Sequence, residues 1–196
     1  MTLPYDWNPM PHVLAIECPA CEAQARFEFA ECVVIARKQD VSYFERSKDF
    51  EYVLTENAGT GRKHLALYFN SLDRTDLDTL TNLPEGYTAN DWAHSDYSYR
   101  SHGYDVGTIT CARCGLRRKH QLEWPADAFY QIAYKAKVLW AFDRETAITL
   151  MEYIRSTDRN RVGPHAAFLR HVPKVFMTSG ARDTICAKFE KLLRSN

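Results

Sequence analysis

The chain lacks any excess of charge. Its 196 residues carry 25 Lys+Arg and 25 Asp+Glu, so no global field draws it to nucleic acid or to a membrane. It also lacks a long apolar run: nothing approaches the roughly 18 residues of a membrane span, and the mean hydropathy of −0.43 agrees. The opening residues have no basic leader and no long apolar segment, so no secretion signal is expected. There is no internal repeat and no low-complexity tract. The G-x-S-x-G, H-E-x-x-H and G-x-G-x-x-G motifs are missing too. Gly59-Thr-Gly61-Arg-Lys63 lacks the spacing of a phosphate loop, and a hairpin turn explains its glycines. With no convergent acid, base and nucleophile, an independent enzyme is the least supported class.

Apolar residues make up 45% and aromatics 13%, with Gly and Pro at only 8 each. That composition buries a core and argues against wholesale disorder. The length fits one large domain or two small ones. The zero net charge hides a division: residues 1–110 carry 9 basic and 17 acidic side chains, and residues 111–196 carry 16 and 8. The two halves could attract each other or face different partners, and a plain solvated surface explains the division equally well.

Ala23, Ala25, Phe27 and Phe29 alternate with Gln24, Arg26 and Glu28, the period of a half-buried strand. Cys32-Val-Val-Ile-Ala36 is short and β-branched, a second strand. Phe50, Tyr52 and Leu54 alternate, Glu56-Asn-Ala-Gly-Thr-Gly61 supplies turn residues, and 64–69 reads as the returning strand of a hairpin. Residues 70–106 hold Asp73, Asp76, Asp78 and many aromatics, among them Tyr87, Trp92, Tyr97, Tyr99 and Tyr104. Such a segment is functional or packed by its own rings. Leu116, Leu122 and Trp124 share the parity of a further strand, and 129–142 reads as another hairpin. Asp143 is a good N-cap. Ala147, Leu150, Met151 and Ile154 follow at helical spacing. A short helix is expected after Pro164 and a last one over 181–194, striped by Ile185, Phe189 and Leu192. Strands come first and helices last, an α+β order.

Six cysteines are present. Four form the pairs Cys18-Pro-Ala-Cys21 and Cys111-Ala-Arg-Cys114-Gly115. A C-x-x-C turn presents two sulfurs to one ion, and tetrahedral Zn2+ wants four such ligands. A glycine after the second cysteine can take positive φ. Gly115 meets that demand, whereas Glu22 stands at the matching place in the first pair and is not expected to. Cys32 and Cys186 lie in apolar surroundings and read as buried, inert thiols.

These pairs resemble the zinc ribbon, the C-x-x-C…C-x-x-C family that includes rubredoxin-like modules; the resemblance covers about a fifth of the chain. The tail, with Leu139-Trp140-Ala141 before a helix, then a basic segment with a proline and a terminal helix, is similar to that of uncharacterised bacterial zinc-ribbon proteins. The resemblance implies antiparallel ribbon strands over 11–142, with an insertion at about 33–106, and a helical segment over 143–196 packed on them. The insertion is long: 89 residues separate Cys21 from Cys111, where common ribbons use about 15 to 20. Loop-closure cost grows only logarithmically, so a folded insertion is acceptable. One shared four-cysteine zinc site is expected at Cys18, Cys21, Cys111 and Cys114. Two separate sites, a thiol redox pair, or iron in the same cage stay open. Four thiolates fill the coordination shell, so the site is structural rather than catalytic.

No two histidines have ligand spacing. His102 and His120 lie near the second pair and could replace or orient a ligand, though ordinary packing roles are commoner. Asp73, Asp76 and Asp78 could bind a hard cation but read better as a solvated loop. Arg113, Arg117, Arg118, Lys119 and His120 leave the second pair directly, and Arg155, Arg159, Arg161, Arg170, His171 and Lys174 follow. Arg117, Arg118, Lys119, Arg159 and Arg161 are the expected phosphate contacts, and exposed Trp92, Tyr97 and Tyr99 would stack on unpaired bases. The expectation is a cytoplasmic protein of bacterial or phage type that binds nucleic acid or works within a nucleic-acid-handling complex. The alternatives are an acidic protein partner docked on the same basic surface, an adaptor that binds another protein through the aromatic insertion or the C-terminal helices, and a rubredoxin-like iron electron carrier. The oligomeric state is left open.

Overall fold

A computed structural model describes residues 10–57, 61–73, 80, 82–93, 97–98 and 105–194. The fold is mixed α+β, with antiparallel sheets and a C-terminal helix. A two-residue strand β1 (Met10–Pro11) pairs with β7 (Tyr97–Ser98). The principal sheet has four strands in the order β2 (Val13–Glu17), β3 (Gln24–Phe29), β8 (Val106–Thr110), β9 (Arg117–Gln121). One face carries Leu14, Phe27 and Ile109 side by side across three strands, all buried. Gly107 lies against Phe27: a Cβ there would sit 2.1 Å from the Glu28 carbonyl oxygen and 2.6 Å from the Phe27 ring. Two strands can approach this closely only where a side chain is missing.

After Phe29 the chain turns into a second sheet of three strands, in the order β4 (Glu31–Val34), β6 (Gly61–Tyr68), β5 (Glu51–Asn57). The expected hairpin is therefore present as β5–β6, and the short strand at Cys32 as β4. Leu54 departs from the expected alternation, being 47% exposed, because it lies toward the hairpin's far end opposite His64. One face of this sheet packs Ala66 and Tyr68 against Phe44 of α1 (Val41–Arg46), Phe50 and Trp92. The Trp92 indole donates to the Ala66 carbonyl. Trp92 is fully buried, which removes it from the rings expected to stack on bases: it anchors the inserted segment's own core. Asp76, Asp78, Tyr99, Tyr104 and His102 lie outside the described residues.

A short helix α2 (Asn70–Asp73) lies over β8 and β9. It covers Glu28, a polar position that alternation alone would place in solvent. Glu28 is buried and meets Ser71, Arg26 and, at 3.4 Å, the Asn70 amide. His12 lies between two carboxylates, with Nε2 3.5 Å from Glu28 and Nδ1 3.3 Å from Glu31. This polar cluster fastens the inserted segment to the principal sheet.

The expected second hairpin is β10 (Gln131–Tyr134) with β11 (Lys137–Trp140). Asp143 caps α3 (Arg144–Arg155) as expected: its side chain accepts from the Thr146 amide, and the Thr146 hydroxyl accepts in return from the Asp143 amide. Then come α4 (Ala166–Leu169), where the helix after Pro164 was expected, and α5 (Ser179–Arg194). Buried side chains of α3, α4 and α5 share one hydrophobic core with the principal sheet and the β10–β11 hairpin. Within it the Trp140 and Phe142 rings pack at a tilt against Phe168. The inserted sheet has its own core.

Candidate metal centre

The register of the principal sheet decides where the cysteines go. β2 and β3 pair through Glu17 and Gln24, which leaves 18–23 as the connecting loop. β8 and β9 pair through Thr110 and Arg117, which leaves 111–116. Because β3 and β8 are antiparallel neighbours, with Arg26 opposite Thr110, the two loops emerge side by side at one end of the sheet. Each is closed by the same pair of bonds. The Cys18 amide donates to the Ala23 carbonyl and the Glu22 amide to the Cys18 carbonyl, both at 2.8 Å. In the second loop the Cys111 amide donates to Leu116 at 2.8 Å and the Gly115 amide to Cys111 at 3.0 Å.

The four sulfurs of Cys18, Cys21, Cys111 and Cys114 lie within 4.8 Å of one another. Two contacts cross between the loops, Cys18 to Cys114 and Cys21 to Cys111, each at 3.7 Å. A tetrahedral ion with ~2.3 Å metal–sulfur bonds sets its ligands about 3.8 Å apart, so the cage has the dimensions of a four-thiolate metal site. The separation is far beyond a bonded disulfide, and all six cysteines are free thiols. The inserted segment makes the sequence gap irrelevant, because it leaves and rejoins the principal sheet at paired positions: Phe29 faces Gly107, and the Ala30 amide donates to Val106 at 2.9 Å.

The ionisation of the quartet fits a cation. The Cys114 amide donates to the Cys111 sulfur, desolvation opposes it and the Arg113 amide adds to it; the thiol comes down to about 7. At Cys21 the Ala23 amide acts in the same direction. Desolvation and the three neighbouring sulfurs outweigh it there, and the thiol is pushed up to about 12. Four like charges resist ionising together without a positive ion among them.

Of the other expected participants, His120 is 2.9 Å from the Asp127 carboxylate and packs edge-on against Phe27; it is not a member of the cage. Cys186 is buried, its thiol donating to the Met151 carbonyl at 3.8 Å. Cys32 is half-buried rather than buried, and burial pushes its thiol up to about 12, so it is inert by protonation. Arg117, Arg118 and Lys119 occupy the edge strand β9. Lys119 pairs with Glu51 of the inserted sheet and lies 4.4 Å above the Phe69 ring. Arg159 and Arg161 lie in the loop after α3, bound to the Met177 carbonyl and the Tyr153 hydroxyl. No described contact joins them to β9.

No family model matches the chain, and neither the curated proteins nor the solved structures contain a match. The metal-site reading therefore rests on the geometry of the four sulfurs, which is consistent with a zinc-ribbon-like site. Among the described residues no helix is long and apolar enough to cross a membrane.

Proposed function

We propose that the chain is a zinc-stabilised, non-catalytic binding protein of zinc-ribbon type that acts on nucleic acid, directly or within a complex that handles it. The observation that supports this reading best is the continuity of the cage with a cationic edge. The second cysteine loop runs straight into β9, and Arg113, Arg117 and Arg118 are exposed there with no acidic partner among the described residues. A strand edge that presents cations discourages sheet-to-sheet pairing and offers guanidinium groups to phosphate oxygens. A full set of four thiolates leaves no coordination position for water, which supports a structural ion over a catalytic one. The Cys111 and Cys21 thiolates would hold the zinc together with Cys18 and Cys114.

The adaptor reading draws on the same cations, since Lys119 already pairs with a carboxylate of this chain. Salt titration separates phosphate binding from an adaptor interface formed by the aromatic insertion or the C-terminal helices. Phosphate neutralisation makes the logarithm of the binding constant fall linearly with that of the salt concentration, and an apolar protein interface responds far less. Elemental analysis comes first: one zinc per chain supports the reading, while one iron, visible as a coloured protein, favours electron transfer. Zinc-loaded protein that binds neither DNA nor RNA at low salt overturns the nucleic-acid part.

A further inference from the structure

We propose that the open half of the principal sheet, beside the second cysteine loop, is a track for the phosphodiester backbone of double-helical nucleic acid. The inference rests on the nucleic-acid reading above and gives it an address and a form of ligand.

The face opposite the hydrophobic core has two halves. α2 covers the half nearest the start of β8, burying Glu28 and Thr108. The half next to the cage stays open as a groove of about 1110 Å³. Its central row is Arg26, Thr110 and Arg117, directly opposite one another on β3, β8 and β9. Adjacent strands lie about 4.8 Å apart, so the two arginine backbones stand about 10 Å apart with only a threonine between them. Ala112 and Gly115 extend this low floor toward the cage, and a Cβ on Gly115 would meet nothing within 4 Å.

The two arginines differ in a useful way. Arg26 is tethered through Nη1 to Glu28 and Ser71, yet its side chain stays 48% exposed, so one guanidinium is aimed in advance. Arg117 is exposed and has no ion pair among the described residues; it is free to turn onto a ligand. The Thr110 side chain supplies a neutral polar group between them, and Gln24, whose Oε1 accepts from the Tyr130 hydroxyl, lines the groove beside Arg26. Zinc with four thiolates carries a net charge of about −2, which Arg113 and Arg117 offset on this side, while Arg118, opposite Ile109, stands on the other face of the sheet. Neither Glu17 nor Glu22 lines the groove, although the exposed Glu17, opposite Gln24 at the end of β2, stands at its margin.

The lining also selects the form of the ligand. Single strands are gripped by aromatic platforms on which bases stack, and among the described residues no aromatic side chain lines this groove. Guanidinium and hydroxyl groups recognise phosphate and sugar without reading sequence. A duplex, whose bases are already stacked, needs nothing else.

The test is fluorescence anisotropy of the full, zinc-loaded chain with two labelled DNA duplexes of unrelated sequence and with one of their single strands. The duplexes should bind equally and the single strand more weakly. Arg117→Ala should weaken duplex binding several-fold and lower the magnitude of the salt slope by about 1. Ala112→Glu, an exposed position that brings a like charge to the phosphate, should abolish it. Both variants should keep their zinc and their melting temperature, which separates lost contacts from lost fold. Wild-type affinity and slope in Arg117→Ala overturn the groove while leaving nucleic-acid binding intact. Preference for the single strand overturns the duplex clause. Failure of the wild type to bind any of the three removes this proposal together with the reading it rests on.

Discussion

Glu22 and Gly115 hold the same place in the two cysteine loops and the same left-handed backbone, with φ of 59° and 73°. The sequence expectation that only Gly115 would do so was wrong. The loop needs its fourth amide to reach back to the first cysteine's carbonyl, and that need outweighs the side chain's preference. A non-glycine residue pays about 1 kcal/mol for this conformation. Glu22→Gly should therefore raise stability by up to about 1 kcal/mol, and Gly115→Ala should lower it by a similar amount. Thermal melting of the metal-loaded forms checks both, and a lower melting temperature for Glu22→Gly would contradict the account.

Removing one ligand should dissolve more than the loop that carries it. Cys18 and Cys111 are buried members of the same core as the principal sheet, so Cys111→Ser should lose bound metal and melt well below the wild type. A chelator should lower the wild-type melting temperature and leave that of Cys111→Ser unchanged. Full zinc content in the variant would argue against a single shared site.

The carboxylates on either side of His12 should respond to pH with opposite signs. At Glu28 burial pushes the pKa up, but bonds from His12, Arg26 and Ser71 overcome it and hold the group well below its usual 4.5. Its stabilising effect is complete above that value and fades as pH falls toward the folded-state pKa. Glu28→Gln should thus cost about 2–3 kcal/mol at neutral pH, with the deficit narrowing in acid. At Glu31 burial dominates and, with the nearby Glu28 charge, raises the pKa above 4.5 against the pull of His12. The ionised form opposes folding at neutral pH and ceases to do so as pH falls through the folded-state pKa. Glu31→Gln should stabilise at pH 7 and lose that advantage below the ordinary glutamate range. Melting curves of both variants from acid to neutral pH test the signs.

Two glycines should answer alanine in opposite ways. Gly107→Ala drives a Cβ into the Glu28 carbonyl and should cost about 3 kcal/mol or more. Gly180, in the first turn of α5 with nothing within 4 Å of its Cβ position, should gain up to about 1 kcal/mol. Urea denaturation midpoints make the comparison.

Local pattern carried much of this architecture. Alternation located β3 and β5, the turn residues after β5 placed β6 as the returning strand, and Asp143 with its helical stripe located α3. The spacing of four cysteines pointed to a quartet that the sheet register brings together. What stayed hidden depends on packing between distant segments. Glu28 reads as a solvent position on β3, and only the arrival of α2 across the sheet buries it. Arg26 reads as the polar side of the same strand, and only its register opposite Thr110 and Arg117 makes it part of a groove. Trp92 reads as an available ring, and its place among Phe44, Phe50 and Tyr68 was settled by the inserted sheet's own core. That Arg117 has no ion pair among the described residues, and that Arg159 and Arg161 are engaged, are likewise facts about neighbours far along the chain.

The division of the cage between two hairpins also imposes an order in time. At a synthesis rate of ~5–20 residues per second, Cys18 and Cys21 leave the ribosome about 5 to 18 s before their partners, with the whole inserted sheet still to come. During that interval the nascent chain holds a bare dithiol beside an incomplete core. The inserted segment, which leaves the sheet at Phe29 and returns beside it at Gly107, must bring its two ends together before four sulfurs can share one ion. Metal capture is thereby deferred until the second cysteine loop has emerged, and it reports that the segment in between has brought its two ends together.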